Sequence, residues 1–420
     1  MGALDWQRKI YLDGFAGQVS KISPNAFQLE QAASRQMTAE AAAYILGGAG
    51  SEQTILANQK GFGHWKIVPR MLRNVENPDL SIELLGQKLP SPILLAPIGV
   101  LEMAHPEADL AVARAAMATG VPFIFSNQAS VSMEACSEAM GNSMRLFQLY
   151  WSRSRDLVTS FVKRAEACGC SAIVLTLDTT MLGWRTQDLA LGHLPFLHGK
   201  GLAQYTSDPV FQQLLDEFLQ RPPAARPSIT TTTLRNLLGS VRRYPTGSFL
   251  HKLRSGRAMG AVSLFSGIYS NPTITWDDLA FLRGQTRLPI LLKGILHPDD
   301  ARKAVDYGMD GVIVSNHGGR QVDGSISTIE ALPSVVAAVN GQLPVLLDSG
   351  IRGGADVIKA LALGAKAVCL GRPYVYGLAL EGQRGVETVI RNLLADLELT
   401  LGLSGYKTLA ELTTDSLRLS

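Results

Sequence analysis

Gly311-Val-Ile-Val-Ser-Asn-His-Gly-Gly-Arg-Gln321 passes from a β-branched run directly into a histidine, two glycines and an arginine. A strand favours Val and Ile, and a turn favours Gly. Neither requires an imidazole and a guanidinium three residues apart. A hairpin end accounts for the glycines only. With the glycines as the turn, His317 and Arg320 can both aim into one cavity at the C-terminal end of the strand.

Seven similar runs lie along the chain. They are Ile93–Ala96, Val121–Phe125, Arg145–Tyr150, Ala172–Leu177, Pro289–Leu292, Pro344–Leu347 and Ala367–Leu370. Segments of helical period separate them. In Ser154–Gly169, for example, Val158, Phe161, Val162 and Ala165 mark one face and Gly169 ends it. Pro298-Asp-Asp after His297 reads as another helix start. Eight strands alternating with helices predict an α/β fold, a (β/α)8 barrel.

The chain has 420 residues, enough for such a barrel over 91–420 with additions. Residues 1–90 read as a helical N-terminal extension packed on the barrel. A second addition, 186–272, separates the fourth strand from the fifth. Its Pro222–Pro227 and the threonines at 230–233 are loop signals. From Phe218 to Thr275 there is no Asp or Glu, yet Arg221, Arg226, Arg235, Arg242, Arg243, Lys252, Arg254 and Arg257 are present. Two readings stand: a solvated insertion, or a cationic lid that gathers an anionic substrate.

Bulk properties exclude several classes. Apolar residues make up 46%, too many for disorder, and the net charge of +3 gives no global field for nucleic acid or membranes. The apolar runs are strand-sized, so none is expected to span a bilayer. Cys136, Cys168, Cys170 and Cys369 complete no metal-ligand pattern and read as reduced thiols. The N-terminus lacks a secretory h-region and a myristoylation pattern, and Leu417-Arg-Leu-Ser420 is not the peroxisomal tripeptide. The cytoplasm is the expected compartment.

Barrel chemistry gathers at the C-terminal strand ends. Read in order, these are Ala96-Pro-Ile98-Gly99, Ser126-Asn-Gln128, Gln148 with Tyr150, Thr176 with Asp178, Lys293, Ser315-Asn-His317, Asp348-Ser-Gly350 and Gly371-Arg372. Lys293 closes an apolar strand, so its buried ammonium requires an acceptor or anion. Asp178 can hold the His317 ring as an acid orients a catalytic base. Arg352 and Arg372, with the glycines after strands seven and eight, occupy the usual barrel phosphate site.

The motifs resemble those of the FMN-dependent α-hydroxy acid oxidases and dehydrogenases over almost the whole chain. Ser315–Gln321 looks like the family signature. Tyr44–Gly50, Pro69–Arg73, Ala104–Glu107, Phe147–Tyr150 and Leu370–Pro373 follow the family order. Gly183–Arg185, Thr206–Phe211, Asp348–Gly350 and Gly405–Leu412 are most similar to the branch containing lactate 2-monooxygenase.

The resemblance implies FMN as cofactor, a small L-2-hydroxy acid as substrate and dioxygen as acceptor. Tetrameric or octameric homo-oligomers are common in the family. It implies phosphate contacts from Gly350, Arg352, Gly371 and Arg372. The flavin ring would meet Ile98, Gly99, Ser126, Gln148, Thr176, Ser315 and Asp348, with Lys293 near N1. Arg320 and Arg185 would take the substrate carboxylate with help from Tyr44, Tyr150 would meet the α-hydroxyl, and His317 paired with Asp178 would be the base.

Gly99 would leave open room beside the reactive edge. Two departures from the family pattern stand out: Gln128 in place of a common aromatic residue, and Ser349 in place of a common glycine. An oxidase releases the keto acid and peroxide, whereas a monooxygenase decarboxylates the keto acid in place. A dehydrogenase with another acceptor, and a non-catalytic flavin- or phosphometabolite-binding barrel, are the alternatives.

Overall fold

Alternation along each strand decides what the molecule can present at its mouth. In the computed structural model, which describes residues 2–221, 230–245 and 247–420, eight parallel strands close into a barrel. They are β1 (Ile93–Leu95), β2 (Phe123–Phe125), β3 (Arg145–Leu149), β4 (Ile173–Thr176), β5 (Ile290–Ile295), β6 (Gly311–Val314), β7 (Val345–Leu347) and β8 (Ala367–Leu370). The barrel closes where β8 pairs with β1, Val368 opposite Ile93 and Leu370 opposite Leu95.

One set of strand residues, including Leu95, Phe125, Leu175, Leu292, Val314 and Leu347, joins the core under the helices. The alternate set, including Leu94, Ile124, Leu146, Val174, Leu291, Ile313 and Leu346, forms a separate apolar cluster inside the barrel. The residue following each outward-facing strand end is therefore inward-facing. Ser126, Thr176, Lys293, Ser315 and Asp348 all fall at that parity.

The helices behave as their periodicity requires. Ser154 caps Arg155–Ala167 by accepting from Leu157 N, and that helix buries Leu157, Val158, Phe161, Val162 and Ala165. His297 and Pro298 open Pro298–Asp306 as expected.

The N-terminal region is only partly helical. Helices Ala3–Phe15, Ala26–Gln36, Ala39–Leu46 and Gln53–Lys60 are followed by Trp65–Ile67, which pairs antiparallel with Leu417–Leu419. A hairpin of Ile82–Leu84 and Gln87–Leu89 then sends Leu84 and Leu89 into the apolar cluster inside the barrel. It plugs the end opposite the site.

The segment between β4 and β5 also differs from the loop expected. Among its described residues it is largely helical, with Pro209–Leu219, Thr231–Arg243 and Arg257–Ile268 its longest helices. The threonine run starts a helix, because Thr230 Oγ1 accepts from Thr233 N at 3.1 Å. Pro222–Pro227 and Arg226 lie outside the described residues. Among the described residues no helix is long and apolar enough to cross a membrane. All four cysteines are free thiols.

Candidate active site

A cavity of about 1030 Å³, counting its open mouth, lies at the C-terminal end of the barrel. Tyr44, Ile98, Gly99, Tyr150, Arg185, Lys293, His317, Arg320, Asp348, Gly350, Arg352, Gly371 and Arg372 line it, so most of the residues singled out by sequence meet there. Four others form its buried support. Ser126 Oγ donates to Gln148 Oε1 at 3.3 Å, and Gln148 Nε2 donates to Thr176 Oγ1 at 3.0 Å. Ser315 Oγ accepts from Lys293 Nζ at 2.8 Å. Asp178 stands behind His317.

The histidine and the aspartate form a close pair, with His317 Nδ1 2.7 Å from Asp178 Oδ1. This contact puts the proton on Nδ1 and leaves Nε2 as the basic nitrogen. Burial lowers the His317 pKa despite the attraction of Asp178, so the ring is neutral at ordinary pH. For Asp178 burial acts upward, but the His317 and Lys293 charges and the bonds from His317 and Thr179 outweigh it, holding the carboxyl at about 2.

The backbone makes the pairing possible. His317 sits at φ 57°, a left-handed conformation unusual for a side-chain-bearing residue. Gly294, at φ 108° in a register irregularity of β5, lies against Asp178; a Cβ there would be 3.0 Å from the Asp178 Cβ. Only glycine lets the two strand ends approach so closely.

Lys293 finds its acceptor in Asp348, with Nζ 3.1 Å from Oδ2. Burial works against the ammonium, yet Asp348 and Asp178 raise its pKa above the ordinary lysine value. Asp348 Oδ1 accepts from Ser349 Oγ at 2.7 Å, and Ser349 Oγ accepts from Gly318 N at 2.9 Å. Ser349 has φ 70°, a conformation that favours glycine; its hydroxyl ties β7 to the turn after β6.

Three guanidiniums gather without an ion-pair partner among the described residues. Arg320 donates to Tyr44 O and Gly47 O and lies over the Tyr44 ring at 4.8 Å. Arg372 donates to Ile45 O, Gly318 O and Gly47 O at 2.8–3.0 Å. Both thereby take up carbonyls at the end of helix Ala39–Leu46. Arg185 Nη2 donates weakly to Gln321 Oε1 at 3.3 Å, and its buried Nε has no hydrogen-bond partner among the described residues. Burial and the neighbouring Arg185 push the Arg320 pKa down to about 9, so a bound anion would relieve this corner.

The N-terminal extension builds part of the wall. Asn58 and Asn316 exchange paired amide bonds of 2.8 and 2.7 Å, fastening helix Gln53–Lys60 to the turn that carries His317. Gly350, at φ 105°, leaves no space for a Cβ, which would lie 2.3 Å from Asn58 O.

Gly99 lines the cavity, and a Cβ there would be 3.2 Å from the Gln128 Cβ. The insertion's described cations do not line the cavity. Arg243 instead pairs with Glu102 at 3.2 Å, and Arg257 pairs with Asp216.

Residues not singled out by sequence also contribute. Thr179 Oγ1 donates to Asp178 Oδ1 at 2.9 Å and lies 3.2 Å from His317 Nδ1. Its place next to Asp178 was the available signal. Phe196 and Tyr269 reach the cavity through an aromatic cluster with Phe265, which no local pattern announces.

A buried polar floor, a lysine beside it and three guanidiniums without an ion-pair partner among the described residues suit a long anionic cofactor with a polar ring. The family model for FMN-dependent dehydrogenase matches residues 33–419. The chain belongs to this family. L-lactate oxidase of Lysinibacillus sphaericus is 42% identical over 392 residues, covering 93% of this chain and 91% of that protein. 2-Hydroxyacid oxidase 1 of Homo sapiens is 38% identical over 362 residues, covering 86% and 87%. A crystal structure of mandelate oxidase superposes with a TM-score of 0.74 at 32% identity, over 94% of this chain and 98% of that one. As an FMN-dependent dehydrogenase family member, the protein is an oxidoreductase that uses FMN.

Proposed function

We propose that this flavoenzyme oxidises a small L-2-hydroxy acid to the 2-keto acid, with dioxygen as the final acceptor. One observation carries the reading: His317, backed by Asp178, opens on the same cavity as Arg185 and Arg320. A base beside two anion-binding groups suits removal of a proton from a carboxylate-bearing substrate. The names of the relatives, lactate and 2-hydroxyacid oxidases, support the substrate class.

FMN, when bound, supplies the two-electron acceptor. Arg352, Arg372 and the backbone at Gly350 and Gly371 would hold its phosphate. Ser126, Gln148 and Thr176 would hydrogen-bond the ring, beside the backbone of Ile98 and Gly99. Lys293, fixed by Asp348 and Ser315, would place a permanent positive charge where electron density accumulates.

Arg185 and Arg320 would fix the substrate carboxylate, each charge-assisted contact contributing about 1.5–3 kcal/mol. Tyr44 and Tyr150 would border the substrate. Burial raises the pKa of both phenols, so they stay protonated and can donate. His317 Nε2 would accept the proton, and the ionised Asp178 would stabilise the resulting imidazolium.

Anaerobic mixing of the holoenzyme with a panel of L-2-hydroxy acids tests this reading. At least one acid should bleach the flavin, and His317→Gln should keep the yellow colour but lose bleaching by a factor of roughly 10² to 10⁴. Unchanged bleaching in His317→Gln would refute the base. Product analysis in air then assigns the branch: keto acid with peroxide for an oxidase, decarboxylated acid with carbon dioxide for a monooxygenase.

A further inference from the structure

Asp188 lies in the short helix Thr186–Ala190, and Arg185 is the residue that precedes that helix. The helix rests on segment 47–50: Ala49 bridges to Arg185, and Thr186 Oγ1 donates to Gly50 O at 2.9 Å. Arg320 reaches the same segment through Gly47 O at 2.9 Å. One carboxylate and two guanidiniums therefore share a buried corner. Asp188 is 6% exposed, and neither of its carboxylate oxygens has a hydrogen-bond partner among the described residues. Burial pushes its pKa up, and the fields of Arg320, Arg185 and His193 oppose that rise. A buried carboxylate without hydrogen bonds is costly, so helix formation alone does not account for it.

We propose that Asp188 is a positioning residue that sets the anion affinity of the Arg185–Arg320 pair. The proposal rests on the reading that these arginines take the substrate carboxylate. One internal negative charge beside two positive ones leaves the corner able to neutralise a single further carboxylate. Substrate and keto acid carry that group alike, so Asp188 weakens the binding of both equally. It thereby limits retention of product without acting on the step at His317.

The test uses FMN-loaded wild type, Asp188→Asn, Asp188→Ser and Asp188→Glu, titrated with propionate and followed by flavin absorbance. The two neutral variants should bind propionate about tenfold more tightly, a modest change for a unit charge at close range in a buried site. Asp188→Glu should stay near wild type. KM for the 2-hydroxy acid should fall in the neutral variants, while the single-turnover bleaching rate at saturation changes less than about twofold. Unchanged or weaker propionate binding in the neutral variants would overturn the proposal. So would equal tightening in Asp188→Glu, or failure of both neutral variants to fold. Propionate that does not compete with the 2-hydroxy acid in wild type would instead refute the arginine reading itself.

Discussion

The barrel mouth and the insertion at 186–272 both hold clusters of positive charge, yet only the first directs them into the cavity. At the mouth, strand parity leaves Lys293 facing inward, and its ammonium meets Asp348 and Ser315. In the inserted segment, Arg243 turns to Glu102 and Arg257 to Asp216. What that segment gives the cavity is apolar: Phe196 and, at its C-terminal edge, Tyr269. A charge pattern identifies function when the backbone fixes its direction. In the helical insertion, Arg243 and Arg257 are satisfied by acids away from the cavity.

The largest effect that would break this contrast is expected at the mouth. Asp178→Asn should lower flavin reduction by about 10²-fold or more, because the imidazolium loses its counter-charge. The pH profile sharpens the test. His317 must be neutral to accept a proton, and burial already lowers its pKa, so wild-type activity should fall only as pH drops below the usual imidazole value of about 6.5. Asp178 raises the His317 pKa, so its removal should move that acidic limb further down. A limb that moves up would contradict the pairing.

Gly350→Ala comes next. It combines φ 105° with a 2.3 Å approach to Asn58 O, and should cost about 2–4 kcal/mol. Urea unfolding together with FMN retention measures this; wild-type stability would show that the extension does not press on the turn after β7.

Gln128→Leu probes specificity. Gln128 is buried and lines the cavity, and its side-chain amide has no hydrogen bond within the described residues. It suits a substrate with a polar tail. The kcat/KM ratio for L-glycerate over L-2-hydroxybutyrate should drop roughly 10- to 100-fold in the variant. An unchanged ratio would remove Gln128 from substrate recognition.

The smallest effect is expected in the insertion. Arg243→Gln breaks a half-exposed pair worth about 1 kcal/mol or less. It should change kcat/KM less than about twofold, and a tenfold loss would restore the cationic-lid reading for that residue.

Much of the site was legible because strand-end motifs report direction as well as chemistry. His317, Arg320, Lys293 and Asp348 follow apolar runs whose alternation allows one inward facing set. Thr179 and Asp188 were less legible, since a hydroxyl in a turn and a carboxylate in a short helix have many ordinary uses. The paired amides of Asn58 and Asn316 were invisible, because they join residues 258 positions apart. The hairpin plug was hidden inside a region that reads as helical, its strands only three residues long.

The sequence by itself determined the eight-strand alternation and the residues set at its C-terminal ends, because a two-residue repeat admits only one inward set. Only the tertiary structure decided which partners those residues meet. Gln128 came to stand against Gly99, Gly294 admitted Asp178 beside His317, and Arg243 and Arg257 of the insertion turned to Glu102 and Asp216. Those outcomes depend on packing between segments far apart in the chain, where a few tenths of an ångström separate contact from exclusion.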